Sequence, residues 1–188
     1  MKEFWTGARL LGVLALLCGV LYPLLVWGLG QLIFPEQARG SLVRQDGVVV
    51  GSRLLGQNFS SPGYFWGRPS ATAPFPYNPS ASAGSNLGPS NPELAQQAAA
   101  RVQQLGGTQD NPVPADLVSA SGSGLDPHIS PAAAFYQVER VAAARGIEPA
   151  QLVELIRNEV EAPFLGLFGA ERVNVLELNL ELDRLSSP

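Results

Sequence analysis

The stretch LLGVLALLCGVLYPLLVWGLGQLIF (10–34) decides the architecture of this chain, because it is apolar almost throughout and carries no charged residue. At a rise of about 1.5 Å per residue, a helix over this stretch is roughly 37 Å long, which covers the roughly 30 Å of hydrocarbon in a bilayer with some allowance for tilt. Pro23 would weaken a soluble helix but is tolerated in a membrane span. We therefore predict a short N-terminal tail over 1–9, a transmembrane helix over 10–35, and a soluble domain over 36–188.

Two other kinds of segment compete with a membrane span at this position. A secretory signal peptide has an apolar core of about 7–15 residues before a small-residue cleavage site. This core is longer, and the FPEQARG that follows (34–40) is a poor cleavage sequence. A buried core helix of this length would be unusual in so small a domain. The stretch is therefore interpreted as an uncleaved, single-pass anchor in the lipid bilayer.

The orientation of the anchor depends on the charges that flank it. Lys2 and Arg9 precede the span, and Arg39 and Arg44 follow it, so the positive-inside comparison is a tie. A short N-terminal tail usually stays inside, and long domains are translocated largely regardless of their charge. We predict a cytoplasmic N-terminus and an extracytoplasmic soluble domain.

The composition of the soluble part excludes several function classes. From Pro35 onward the chain carries 10 arginines and 15 acidic residues, a net charge of −5, which argues against binding to nucleic acid. Lys2 is the only lysine, so the soluble part has no Walker A loop. With one histidine, His128, and one cysteine, Cys18, a zinc site built on these residue types is not available. We predict no metal site and no catalytic residue.

Short strand and helix patterns alternate along the soluble part. Residues 41–59 predict two strands around an Asp46-Gly47 turn. Residues 60–91 predict a long loop, kept ordered by its aromatic side chains. Residues 172–183 alternate apolar and polar, which predicts a last strand that pairs with the first two. Helix starts are predicted at Asn91-Pro92, Ser130-Pro131 and Pro149, with stops at Gly106, Gly146 and Pro163. The predicted fold class is α+β, with a few strands and about three helices after the membrane helix.

The stretch SGSGLDPHIS (121–130) carries the residue types of a hydrolase site or a phosphate-binding loop. It does not fit the G-x-S-x-G nucleophile elbow in either register, because the flanking positions hold serine or leucine. Alternating glycines and serines before a helix start at Pro131 are able to offer N–H groups to a phosphate. A turn that feeds a helix capped by Ser130 explains the same residues, so both interpretations stay open. The candidate nucleotide-binding residues are Ser121, Gly122, Ser123, Gly124, Asp126 and His128.

Candidate partner contacts lie in the long loop. Arg68, within YFWGRPSA (64–71), is the best-placed cation of that loop. It either pairs with an acid inside the domain, serves an anionic ligand or contacts a partner. An ordered loop rich in aromatic residues is expected to pack on something, and a partner protein is one such surface. The candidate partner-contact residues are Tyr64, Trp66, Arg68, Tyr77 and Asn86.

Several runs of this sequence resemble the C subunit of the bacterial Kdp potassium-transporting P-type ATPase. Together they cover most of the chain in order, so the resemblance is specific. The runs are YPLL in the span, GSRLLGQNF, YFWGRPSATAPFPYNPSASAGSNLGPSNPEL, VPADLVSASGSGLDPHISPAAAFYQVERVAAARG and RVNVLELNLELD.

The resemblance implies an accessory subunit of a high-affinity potassium uptake complex in the bacterial inner membrane, and not an enzyme on its own. Its implied partners are an ATP-hydrolysing pump subunit and a channel-like subunit. The implied role is assembly together with catalytic chaperoning, which raises the ATP affinity of the pump subunit. ATP would be shared with that subunit, and no tightly bound cofactor is implied.

An extracytoplasmic domain conflicts with contact to cytoplasmic ATP. Two alternatives to the role as a catalytic chaperone therefore stay open. One is a cap on the channel subunit without a nucleotide role. The other is a membrane-anchored hydrolase that uses Ser123 and His128.

Overall fold

The computed structural model describes residues 1–186. One helix among them, Lys2–Ile33, is long and apolar enough to cross a membrane, by its length and composition. It consists of α1 (Lys2–Leu16), a π-helical turn (Leu17–Leu21) and α2 (Tyr22–Ile33). Pro23 explains the π-helical turn, because proline lacks an N–H and its ring clashes with the carbonyl four residues earlier in a regular helix.

The chain divides into two compact units, Met1–Val50 and a second unit that begins at Gly51. After this long apolar helix, the first unit contains the short helix α3 (Pro35–Ala38) and the strand β1 (Leu42–Gln45). The strand β2 (Val48–Ser52) pairs with β1 in a two-stranded sheet. The turn between these strands has positive φ at both Asp46 and Gly47, 51° and 79°, as a two-residue hairpin of type I′ requires. The predicted pair of strands is confirmed.

The regular secondary structure of the second unit consists mostly of helices. The predicted cap at Asn91 is confirmed, since its side chain accepts the Glu93 N–H at 2.9 Å. The cap at Ser130 is confirmed as well, since its hydroxyl accepts the Ala133 N–H at 3.1 Å. The helices are α4 (Pro92–Gln104), α5 (Ala115–Val118), α6 (Pro131–Tyr136), α7 (Val138–Arg145) and α8 (Pro149–Glu159).

Two helix predictions need correction. The single helix predicted from Pro131 to Gly146 is divided at Gln137, whose buried side chain bonds to the Ala133 carbonyl and to the long loop. The helix that starts at Pro149 ends at Glu159 rather than near Pro163, because the next two residues pair with a strand.

The last predicted strand is mostly a helix. Only β5 (Arg172–Asn174) is extended, and α9 (Val175–Ser186) follows directly. The Asn174 side chain accepts the N–H groups of Leu176 and Glu177 at 3.1 and 3.3 Å, which caps the start of α9. The predicted pairing of this segment with the first strands is also wrong. β5 lies between β3 (His128–Ile129) and β4 (Val160–Glu161) in an antiparallel sheet.

The core of the second unit is formed by buried side chains of the helices α5 to α9 and of β5, and α6, α8 and α9 contact that strand directly. Phe65 of the long loop belongs to this core and is fully buried, although the loop has no regular secondary structure over most of its length. The other largest buried apolar side chains are Leu117, Val141, Leu152, Ile156, Val173, Leu178 and Leu182. The loop is therefore part of the folded unit and not an appendage to it.

Candidate functional site

Two buried amides hold the long loop by its backbone. The Asn179 side chain accepts the Phe65 N–H at 2.8 Å and donates to the Phe65 carbonyl at 2.9 Å. The Gln137 side chain does the same for Trp66, at 2.8 and 3.1 Å. Both amides are at most 2% exposed. Since buried backbone groups must find partners, these two side chains take the place of a neighbouring strand and hold residues 65–66 in one position.

Tyr64 and Trp66, two predicted partner contacts, are stacked under arginines of α7. The Arg145 guanidinium lies 4.5 Å from the centre of the Tyr64 ring, and the Tyr64 hydroxyl donates to Asp183 at 3.1 Å. The Arg140 guanidinium lies 4.0 Å from the Trp66 ring, and burial lowers the pKa of Arg140 to about 10. Cation–π contacts of this kind are strongest where water is excluded. Much of each aromatic ring is thus occupied within the domain.

Arg68 pairs with an acid inside the domain, one of the three outcomes considered for it. Its Nη1 lies 3.1 Å from Asp126 Oδ2, and the Tyr77 hydroxyl donates to the Arg68 carbonyl at 2.5 Å. Burial alone would raise the pKa of Asp126, but hydrogen bonds from His128 and Arg68 hold it below its ordinary value. Burial raises the pKa of Tyr77 to about 12. Asp126 is therefore ionised and neutralises the guanidinium beside it.

A cleft of about 400 Å³ opens between this part of the loop and α4. Three of the five predicted partner contacts line it, and Asn86 is not among the lining residues. Asn86 is exposed and has φ +53°, a conformation that asparagine tolerates. The residues of the cleft that carry polar or aromatic groups are Asn58, Phe59, Ser60, Trp66, Arg68, Ser70, Tyr77, Gln97, Arg101 and Gln104.

Arg101 supplies this cleft with a positive charge that sequence reasoning missed. Its Nη1 donates to Gln104 Oε1 at 2.7 Å, and no carboxylate within residues 1–186 lies within ion-pair distance of it. Burial lowers the pKa of Arg101, and an arginine guanidinium in a protein carries its charge at neutral pH. An arginine in ARVQQL (100–105) gave no signal by itself, because most such helical arginines face solvent.

The candidate nucleotide residues form a turn whose polar groups are largely used within the fold. Ser121 Oγ accepts the Gly124 N–H at 2.8 Å, and Ser123 Oγ accepts the Leu125 N–H at 3.1 Å. The Ser121 N–H donates to the Pro69 carbonyl at 3.3 Å. Gly124 has φ +66°, and a Cβ there would lie 2.6 Å from the Ala83 carbonyl, so the close approach of two loops requires glycine. Gly122 and Ser123 are the exposed members of the set.

The remaining candidates in this stretch have similar internal roles. The His128 N–H donates to Asp126 at 3.0 Å, and His128 Nδ1 lies 3.7 Å from the same carboxylate. Two N–H groups at the start of α6 are also engaged, because the Ser130 N–H donates to Asp116 at 2.7 Å and the Ala133 N–H donates to the Ser130 hydroxyl at 3.1 Å. The structure thus brings these residues together as a turn that supports the long loop and leads into a capped helix.

The comparisons with known proteins identify the family. A family model described as "K+-transporting ATPase, c chain" matches residues 4–184. A protein of Polaromonas naphthalenivorans is 58% identical over 92% of this chain and 90% of its own length. One of Sorangium cellulosum is 59% identical over 93% of both chains, and one of Methylococcus capsulatus is 55% identical over 98% of this chain and 99% of its own. All three are named potassium-transporting ATPase KdpC subunit. The chain therefore belongs to the KdpC family of potassium-transporting ATPase subunits.

Proposed function

We propose that this chain is a non-catalytic subunit of the potassium-transporting ATPase complex, that it is needed for assembly, and that the other subunits dock on its long loop. The observation that carries this proposal is the 400 Å³ cleft with Arg101 at its wall. Trp66 and Tyr77 add aromatic area beside that charge. Aromatic residues and arginines are the types enriched where protein interfaces are most strongly bound.

The partner group that best fits this cleft is an acidic side chain. Arg68 already has Asp126 as its counter-ion, so the charge left for a partner is that of Arg101. A carboxylate entering the cleft would meet the guanidinium in a bidentate arrangement, in surroundings poorer in water than the open surface. The pump subunit and the channel-like subunit are the proposed sources of such a group.

The arrangement of Ser123 and His128 does not favour the hydrolase alternative. Ser123 Oγ accepts a backbone N–H of its own turn, and His128 faces Asp126. A nucleophilic serine needs a base within hydrogen-bond reach, and the serine–histidine pair is not among the hydrogen bonds of the described part of the chain. We therefore assign the domain a docking role rather than a chemical one.

Replacing Arg101 by glutamine tests the docking proposal. Loss of a charge-assisted hydrogen bond costs about 1.5–3 kcal/mol, which corresponds to roughly tenfold to a hundredfold weaker binding. We expect the Arg101→Gln chain to retain markedly less of the other subunits when the complex is purified. Arg157→Gln, on the exposed side of α8, is the matched control. Equal recovery of the partner subunits with both variants would contradict the proposal.

The role as a catalytic chaperone that raises ATP affinity remains a second candidate. The exposure of Gly122 and Ser123 favours it, since their backbone is accessible to a phosphate. The cation beside this turn, Arg68, is already paired with Asp126, so an unaided site at residues 121–128 would bind a triphosphate weakly. Direct contact with ATP also requires the domain to lie in the cytoplasm, whereas we propose that it lies on the extracytoplasmic side of the bacterial inner membrane.

Labelling of an introduced cysteine decides between these two locations. In a Cys18→Ser background, Ser123→Cys places one thiol at the exposed turn. We expect a membrane-impermeant maleimide to label it in intact cells, as it would label Gln103→Cys on the exposed side of α4. That result contradicts direct ATP contact. Labelling of both positions only after permeabilisation would contradict the proposed orientation.

A further inference from the structure

The connection between β4 and β5 forms the tip of an antiparallel hairpin. Glu161 pairs with Arg172 at its base, and an isolated bridge joins Phe164 to Phe168 nearer the tip. Leu165 and Gly166 turn the chain with φ of +55° and +71°. The tip therefore has a defined backbone and a base anchored in the three-stranded sheet.

The tip, PFLGLFG (163–169), exposes four large apolar side chains and carries no polar one. Exposed apolar residues are common singly, but a cluster of this density on one turn marks a surface that is covered in use. None of the four belongs to the core of the second unit as the structure describes it. Their exposed fractions are 72% for Phe164, 74% for Leu165, 81% for Leu167 and 65% for Phe168.

The backbone of the tip satisfies most of its own hydrogen bonds. Phe164 donates to the Phe168 carbonyl at 2.9 Å, and Phe168 donates back at 3.0 Å. Gly166 donates to Pro163 at 2.9 Å and Leu167 to Phe164 at 3.2 Å. Unpaired N–H groups are what normally keep a loop out of a low-dielectric environment. This turn reduces that penalty, because four of its six N–H groups are paired within the tip.

Charges lie at the base of the hairpin and not at its tip. Arg172 Nε and Glu161 Oε2 are 2.8 Å apart, and Glu171 is exposed beside them. This distribution, with an apolar end and a charged base, matches the boundary between hydrocarbon and the headgroup region. Arg172 of this hairpin is already paired with Glu161, so the apolar side chains of the tip, and not an attraction to anionic headgroups, would carry an insertion.

We propose that the hairpin tip, residues 163–169, inserts into the lipid bilayer as a second membrane contact of this chain. The helix Lys2–Ile33 is long and apolar enough to cross a bilayer, and an anchor of this kind would hold the tip and the lipid together at high effective concentration. The tip offers a protein partner no polar side chain for a hydrogen bond, whereas protein interfaces usually contain about one hydrogen bond per 100–200 Å². This proposal is independent of the docking role assigned to the cleft.

Fluorescence quenching in vesicles tests the insertion. The full chain with Cys18→Ser and Leu167→Cys is labelled with an environment-sensitive dye and reconstituted into phosphatidylcholine vesicles. We expect quenching by lipids that carry a nitroxide on the acyl chain, and protection from aqueous iodide that does not change with salt. Gln103→Cys, exposed on α4, is the matched control and is expected to show the reverse pattern.

A further substitution at the tip separates insertion from a change in folding. Leu165 has positive φ, a conformation that aspartate adopts more readily than leucine, so Leu165→Asp preserves the turn while adding a charge. In the Leu167→Cys chain it should abolish quenching by the nitroxide lipids and restore access to iodide. Two results would overturn the proposal. One is that iodide reaches the dye on the Leu167→Cys chain in vesicles when Leu165 is unchanged. The other is that the dye is protected from iodide only when the other subunits are present.

Discussion

Replacing Asn179 by leucine is expected to lower the free energy of unfolding of the second unit by about 2–6 kcal/mol. The substitution removes the acceptor for the Phe65 N–H and the donor to the Phe65 carbonyl, and it leaves both groups buried. Each unsatisfied buried polar group costs about 1–3 kcal/mol. Because a domain is typically stable by only about 5–15 kcal/mol, this one change removes a large fraction of its stability.

The measurement is denaturant unfolding of the full-length chain in detergent, followed by near-ultraviolet circular dichroism. Asn158→Leu is the matched control, since Asn158 is also an asparagine within a helix but is exposed. It is expected to change the stability by less than about 0.5 kcal/mol. If the two variants unfolded at the same denaturant concentration, the two hydrogen bonds of Asn179 would not hold the loop.

Replacing Phe65 by alanine is expected to destabilise the same unit by about 3–5 kcal/mol, because it opens a cavity in the core. Phe65 is fully buried, although it belongs to a loop, and it packs in the cluster that includes Leu178 and Leu182. The loop would lose the packing of its fully buried aromatic side chain in the core. We therefore also expect weaker recovery of the partner subunits, since Trp66 follows directly and lines the docking cleft.

Phe75→Ala provides the comparison within the same loop. Phe75 is 54% exposed, so the same truncation removes little buried area. The unfolding midpoint of the Phe75→Ala chain is expected to stay close to that of the unchanged chain. The midpoint of the Phe65→Ala chain is expected to shift strongly to lower denaturant concentration. A similar shift for both variants would mean that the loop is not anchored at residue 65. A substitution of Phe65 by leucine is expected to fall between the two.

Local chemistry was sufficient for the features that depend on a few neighbouring residues. The apolar run 10–34 contains its own evidence for a membrane helix, and Asp46-Gly47 contains its own evidence for a tight hairpin. The caps at Asn91 and Ser130 bond to N–H groups only two or three residues away. The turn and the two caps were confirmed because no distant residue is needed to form them, and the apolar run lies in a helix that is long and apolar enough to cross a membrane.

The segment after Asn174 shows where local pattern is ambiguous. In VNVLELNLELD (173–183) the alternation of apolar and polar residues suggests a strand, but Val175, Leu178 and Leu182 also repeat at helical spacing. The tertiary structure selects the helix from Val175 onward, because all three side chains then face the core and Asn174 caps the helix start. The alternation changes phase between Val175 and Leu176, next to the point where the strand ends and the helix begins.

The candidate site was predictable only in part. The aromatic residues and Arg68 pointed to an ordered loop, and three of them line the cleft. Arg101 was missed because its position beside Tyr77, 24 residues earlier in the chain, arises from the packing of α4 against the long loop. Tyr64 was expected on a partner surface, and the structure stacks it under Arg145 and bonds it to Asp183.

The sequence by itself determined the long apolar N-terminal helix, the Asp46-Gly47 turn, the helix caps and the absence of a Walker A lysine, because each rests on residue identity or on neighbours within a few positions. Only the tertiary structure decided how the long loop is held and what its side chains face. Asn179 and Gln137 reach loop residues 114 and 71 positions away, and no local pattern encodes such a bond. The physical reason is that an unpaired buried backbone group costs free energy, so each buried N–H and C=O of the loop needs a hydrogen-bond partner. Which side chain becomes that partner depends on which one the completed fold places within reach.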